Sequence, residues 1–251
     1  SLGYAVDRES MGKTIDQHEM IADYLEEMAT DIQGMRALTV NACYHEEMAQ
    51  KLQIALDHYP KLTAAEREDY EAQLAYHRAE SRRLTPLCKY LASERAVDIS
   101  RKAIQIHGGA GYTKDYDVEK LLRDALVLPI YEGTSQIQAL MSMKDALLAI
   151  IKSPQKFVQK MAQARWRGMS ARDELERRVF QLRGQVMRAH QHLVSKTATE
   201  KLGDVVQRPM SEWRKEFTQN WDPKRDFAYA MLHAERLIVM ESDASVAEAL
   251  W

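Results

Sequence analysis

Apolar positions recur at helical spacing along most of the chain. Met28, Ile32, Met35, Leu38 and Ala42 step by four, three, three and four, which predicts one long helix over residues 15–56. Thr14-Ile15-Asp16-Gln17 reads as a capping box at its start, and His58-Tyr59-Pro60 ends it. Thr63-Ala64-Ala65-Glu66 is a second capping box and opens a polar helix over residues 64–84. Thr85-Pro86 then predicts a restart, with Pro86 at the first position of a third helix that runs to Ile106. His107-Gly108-Gly109-Ala110-Gly111 stops that helix, because clustered glycines reach backbone angles a helix does not use. Residues 112–117 read as loop and 118–125 as a short helix. Residues 126–133 read as extended, with Pro129 near their centre, and Thr134 is suited to cap a helix over 135–151.

Ser153-Pro154 marks a boundary. Beyond it, Leu175, Val179, Leu182, Val186, Ala189 and Leu193 alternate steps of four and three, a heptad seam of the length found in bundles. Asp222-Pro223 predicts the cap of a last helix whose inner face carries Phe227, Ala230, Met231, Ala234, Leu237 and Ile238. The expected fold is all-α: an antiparallel helical bundle over residues 1–151, with an enlarged hairpin at 46–85, followed by a helical extension over 152–251.

Composition agrees. The 251 residues hold only 10 glycines and 6 prolines, too few for a chain built from hairpins, while 13 methionines suit helical packing. Lys and Arg number 35 against 37 Asp and Glu, so the chain lacks the basic excess of a general nucleic-acid binder. The two cysteines, Cys43 and Cys88, form no disulfide scaffold and fit a reducing compartment such as a bacterial cytoplasm. No apolar run approaches the roughly 20 residues that a membrane span requires. The sequence starts without Met and reads there like the inside of a helix.

Metal-binding spacings are absent: no Glu-x-x-His, no HExxH and no Cys-x-x-Cys pair, and His190 and His192 read as surface residues. Neither G-x-G-x-x-G nor a Walker loop nor G-x-S-x-G is present. One segment stands apart, from Gln105-Ile106-His107-Gly108-Gly109 to Pro129-Ile130-Tyr131-Glu132-Gly133-Thr134-Ser135-Gln136-Ile137-Gln138. A carboxylate just before a helix N-terminus can lean into a cleft at which neighbouring backbone N–H groups also point. That pattern alone favours reading Glu132 as a solvated loop acid stabilised by the helix dipole.

These residues resemble the C-terminal helical domain of the acyl-CoA dehydrogenases. Arg8-Glu9-Ser10-Met11-Gly12-Lys13, followed by His18, resembles the family's Arg-x-x-Phe-Gly-Lys stretch, with Met11 in place of the aromatic residue. The resemblance implies an FAD-dependent oxidoreductase that converts an acyl-CoA thioester to the trans-2-enoyl-CoA. Glu132 would be the base that removes the α-proton while hydride passes to flavin N5. Tyr131 and Gly133 would border the substrate, and the Glu132 N–H would face the thioester carbonyl. Arg8 would meet the FAD pyrophosphate of a neighbouring subunit, with Ser10 beside it. Gln105 and Gly109 would approach the adenosine diphosphate half, and Thr134 and Gln136 would donate near the flavin.

An electron-transferring flavoprotein as electron acceptor and a homo-oligomer, dimer or tetramer, follow from the same resemblance. So does the expectation that a helical domain and a β-domain precede Ser1, on this chain or another. The long 46–85 hairpin and the segment after residue 154 resemble the larger bacterial members, in which an extension would serve architecture. Two rival readings are a non-catalytic structural subunit and a helical interaction module that retains the motif.

Overall fold

The computed structural model describes residues 1–59, 61–206, 209, 212 and 226–251. The fold is all-α. Its helices are α1 (Leu2–Asp7), α2 (Glu19–His58), α3 (Ala64–His107), α4 (Gly109–Tyr112), α5 (Val118–Ala125), α6 (Ser135–Lys152), α7 (Pro154–Ser170), α8 (Glu174–Val206), α9 (Ala228–Met231) and α10 (Ala234–Leu250). A two-stranded antiparallel hairpin, β1 (Glu9–Ser10) and β2 (Lys13–Thr14), and a 3-10 turn (Ile15–Gln17) join α1 to α2. The predicted cap at Asp222-Pro223 lies outside the described residues. No described helix is long and apolar enough to cross a membrane. Both cysteines are free thiols.

The chain divides into two compact units. The first comprises residues 1–78 and 88–135, the second residues 79–87 and 136–251. In the first, α2 and α3 form a long antiparallel hairpin. Contacts run from Glu27 with Lys102 (2.7 Å) and Asp31 with Arg95 (3.4 Å) to Gln53 with Arg78 (2.8 Å), so one partner climbs as the other falls. Ala49, Leu52, Leu56 and Leu74 seal the far end of this hairpin, while Ala5, Ile15 and Ile106 form a second core near the chain start. Midway, the buried rings of His45 and His77 meet with their Nδ1 atoms 3.0 Å apart.

Several expectations are corrected. The capping box at Thr63 and Glu66 forms, but Thr14 makes no side-chain cap, and α2 starts at Glu19 behind His18. No restart occurs at Thr85-Pro86, because α3 passes through Pro86 as one helix. The proline removes one backbone donor, but the flanking Leu84 and Leu87 are fully buried, and Thr85 Oγ1 donates to the Ser81 carbonyl at 2.8 Å. Apolar burial on both sides outweighs the roughly 3 kcal/mol cost of an interior proline. Residues 126–133 are not extended. Leu126 and Leu128 donate to Leu122 and Ala125, and Ile130 donates to Val127, so α5 runs out as successive turns.

The second unit packs α7 against α8 and α8 antiparallel to α10. Gly168 lets α7 approach closely, since a Cβ there would lie 3.3 Å from Gln181. The heptad seam on α8 is only partly used. Val179, Val186 and Leu193 are buried, but Leu175 and Leu182 are exposed. The inward face instead takes Arg183, His190, Thr197 and Lys201, so His190 is not a surface residue. Lys201 and Asp226 form an almost fully buried ion pair at 2.8 Å. Arg183 donates to Glu241 at 2.9 Å and clasps the carboxylate of Glu248. Burial opposes the guanidinium's charge, but Glu248 and Glu241 more than reverse that, and its pKa is raised. Of the inner face predicted for the last helix, Phe227, Ala230, Ala234, Leu237 and Ile238 are buried and Met231 is half-buried, but a turn at Leu232-His233 divides the expected single helix into α9 and α10.

Two outcomes follow. Arg183→Met leaves the buried Glu241 and the half-buried Glu248 without their cation and lowers unfolding stability in urea by about 3–5 kcal/mol. His190 is pushed below its ordinary pKa by burial and by Arg183, against the pull of Glu241, whose Oε1 lies 3.4 Å from Nε2. The unfolded chain therefore takes up this proton more readily. Stability is retained above about pH 6.5 and declines as the pH falls below it. His190→Gln flattens this decline in a series of thermal melts from pH 7 to pH 5, and an unchanged slope refutes the assignment.

Candidate functional site

The first unit holds an open cavity of about 1110 Å³, slightly larger than the roughly 300–1,000 Å³ usual for small-molecule and cofactor sites. Local chemistry explains its walls. After α1 the chain turns extended at Arg8, and β1 and β2 close through Met11 and Gly12, both at positive φ (52° and 85°). Two left-handed central residues are the signature of a type I′ turn, whose twist matches that of paired strands. Ile15 N–H donates to the Arg8 carbonyl at 2.8 Å, and His18 Nε2 donates to the Ser10 carbonyl at 3.0 Å. Arg8 and Ser10 are thus fixed through their backbones, leaving the side chains to the cavity.

The opposite wall is the end of α3. Gly108 ends that helix at φ 58° and ψ −138°, a conformation open only to glycine. Gly111 is required by crowding, since a Cβ would meet the Ile104 carbonyl and His107 Cβ at 2.8 Å. At Gly109 an added Cβ would meet nothing within 4 Å, so the backbone there faces open space. His107 donates through Nδ1 to the Ala103 carbonyl at 2.7 Å and stacks on Tyr4 with ring centroids 4.2 Å apart. Arg8, Ser10, Gln105 and Gly109 all line this one cavity. A guanidinium, a hydroxyl, a carboxamide and an open backbone suit a diphosphate joined to a heterocycle. Tyr4, His107 and Tyr116 complete the wall, and helical spacing alone did not mark them out.

The remaining sequence-predicted residues lie elsewhere. Tyr131, Glu132, Gly133 and Thr134 occupy the turn before α6 and do not line the cavity. Glu132 is exposed and adopts φ 50°, with Gly133 following at φ 89°. Two side chains from α3 hold the turn. Lys89 Nζ donates to the Leu128 carbonyl at 2.7 Å and lies 5.4 Å from the Tyr131 ring centroid. Glu94 accepts a short hydrogen bond from the buried Ser135 hydroxyl, while Ser135 N–H donates to the Pro129 carbonyl at 2.9 Å. Neither Lys89 nor Glu94 carries a local sequence signal. Gln136, in the second unit, donates to Glu235 at 2.7 Å. Among the described residues no group of three or more His, Cys, Asp or Glu is placed to hold a metal.

The family model for the acyl-CoA dehydrogenase C-terminal domain matches residues 61–147. A probable acyl-CoA dehydrogenase of Bacillus subtilis, YngJ, is 34% identical over 59% of this chain and 31% of its own length. A 3-(aryl)acrylate reductase of Clostridium sporogenes is 33% identical over 57% of this chain and 30% of its own. The CarC subunit of the caffeyl-CoA reductase-Etf complex of Acetobacterium woodii is 33% identical over 55% and 29%. The chain thus spans about a third of the length of these curated relatives. In fold, 98% of the chain follows 37% of a Bacillus anthracis acyl-CoA dehydrogenase solved with FAD, at a TM-score of 0.63 and 18% identity.

The backbone at Glu132 yields a direct expectation. A side chain in the left-handed region costs about 1–2 kcal/mol, of which glycine would return part through its looser unfolded state. Glu132→Gly therefore raises the melting temperature, by the equivalent of roughly 0.5–1 kcal/mol, while Glu132→Ala does not. Differential scanning calorimetry of the two variants decides it, and equal melting temperatures would remove the strain argument.

Proposed function

We propose that the chain, whose residues 61–147 match the C-terminal domain of the acyl-CoA dehydrogenase family, is the C-terminal part of an FAD-dependent oxidoreductase acting on the Cα–Cβ bond of acyl-CoA thioesters. The observation that carries the proposal is the cavity that gathers Arg8, Ser10, Gln105 and Gly109 from opposite ends of the first 109 residues. Its donor set fits the dinucleotide portion of FAD. The Arg8 guanidinium would bind the pyrophosphate bidentately, with the Ser10 hydroxyl beside it, and Gln105 and the Gly109 backbone would meet the adenosine side. When bound, FAD supplies the two-electron acceptor.

Glu132 is the proposed base. Its carboxylate takes the α-proton, and its own N–H, with Gly133 giving the chain room to turn, faces the thioester carbonyl as negative charge develops there. Tyr131 borders the substrate, while Thr134 and Gln136 serve as donors on the flavin side. The relatives named as reductases support the same carboxyl group returning a proton to the α-carbon in the opposite direction. Glu132 does not line the cavity, which favours a flavin shared across a homo-oligomer, the cradle of one chain serving a neighbour's base. A partner of the electron-transferring flavoprotein class is consistent with the relative described as an Etf-complex subunit. Residues 152–251 form the proposed architectural extension of the 1–151 bundle.

The test uses the full oxidoreductase that contains this chain. Glu132→Gln retains the shape of the side chain and loses its proton acceptor. Single-turnover flavin reduction by an acyl-CoA should slow by at least about 100-fold, with FAD content unchanged. An undiminished rate refutes Glu132 as the base.

A further inference from the structure

We infer that Lys89 is a positioning residue for the proposed base, acting on Glu132 through the backbone and the ring that precede it. The inference rests on the reading of Glu132 as the base. Its starting point is the conformation of the turn. Glu132 at φ 50° and Gly133 at φ 89° are both left-handed, a region that a glutamate does not choose unaided. Apolar burial does not hold the residues before it, since Ile130 is 64% exposed and Tyr131 48%. A carboxylate on such a turn stays aimed at one point only if the turn is fixed from outside.

The outside support comes from α3. Lys89 Nζ donates to the Leu128 carbonyl at 2.7 Å, four residues before Glu132, and lies 5.4 Å from the centroid of the Tyr131 ring, on the residue directly before it. One ammonium thus meets both the backbone and the side chain that lead into the base. Three residues after Glu132, the buried Ser135 hydroxyl donates to Glu94, and the Ser135 N–H donates to the Pro129 carbonyl at 2.9 Å. Both anchors stand on α3 after Pro86, in the same compact unit as the turn. Among the described residues, neither Lys89 nor Glu94 joins an ion pair, so each charge is directed at the turn.

The proposed chemistry makes this geometry matter. The Glu132 carboxylate takes the α-proton while its own N–H faces the thioester carbonyl, so one residue presents two groups to one substrate. A rotation of the peptide between Tyr131 and Glu132 moves both out of register, and a misplacement of about 1 Å can slow a reaction about 100-fold. Of the two anchors, Glu94 closes on a buried hydroxyl at the start of α6, where the helix already orders the chain. Lys89 holds the side whose residues face solvent, so the aim of the base depends on it more.

The experiment is a double-mutant cycle in the full oxidoreductase that contains this chain. Lys89→Met retains the aliphatic stem and loses the ammonium. Single-turnover flavin reduction at saturating acyl-CoA should slow at least about tenfold, while FAD content and the acyl-CoA concentration at half-maximal rate stay at the parent values. Lys89→Leu, with the same expectation, replaces it if the methionine variant loses FAD. In a Glu132→Gln background the substitution should slow the reaction no further, because no base is left to position. Three outcomes overturn the inference: the parent rate in the Lys89 variant, slowing by the same factor in both backgrounds, or a raised half-saturating concentration at an unchanged maximal rate, which would assign Lys89 to substrate binding. A Glu132→Gln enzyme at the parent rate overturns the reading of the base itself, and is seen without any Lys89 variant.

Discussion

The turn before α6 is held in a backbone conformation that its sequence would not choose unaided. Glu132 and Gly133 are both left-handed, and a glutamate there is strained. It persists because α3 grips the turn at both ends, with Lys89 at the Leu128 carbonyl and Glu94 at the Ser135 hydroxyl. The same helix then ends in Gln105 and His107, which wall the cavity. One helical segment, from Lys89 to His107, therefore supports the proposed base and presents half of the proposed cofactor cradle.

Strain at one residue is affordable only where neighbouring contacts over-determine it. Two charged groups from another helix serve here where a local hydrogen bond would not. A cation on a carbonyl and a carboxylate on a buried hydroxyl are charge-assisted bonds, roughly twice as strong as neutral ones. The cavity wall shows the complementary device. Glycine is used at Gly108 for its backbone angles and at Gly111 for its lack of a Cβ, while Gly109 leaves open space. Three neighbouring glycines thus meet three different physical requirements.

The second unit is organised by buried charge as much as by apolar contact. Arg183, Glu241, Glu248, Lys201 and Asp226 fill positions that a uniform leucine seam could have taken. Such pairs gain little net stability over well-packed apolar residues, but they tolerate mispairing poorly. They fix how α8 meets α10, since sliding either helix by a turn would strand a buried charge.

Sequence alone determined the elements wherever the signal was local. The capping box at Thr63 and Glu66, the glycine stop after His107, the short helix Val118–Ala125 and the all-α class each follow from bonds or periodicity within a few residues. Arg8, Ser10, Gln105 and Gly109 also stood out in the sequence, because they lie in compact motifs with distinctive side chains, and one cavity gathers them. Tertiary structure decided the rest. Pro86 sits inside a helix because Leu84 and Leu87 are covered by neighbours that its own segment does not name. His190 is buried and Leu182 exposed because a heptad states which positions share a face, while the partner helix decides how much of that face is covered. Lys89 and Glu94 reach the Glu132 turn from about 40 residues away in sequence, a meeting that periodicity cannot encode. Local backbone chemistry acts over one or two turns; burial is a property of pairs of elements, and only their packing sets it.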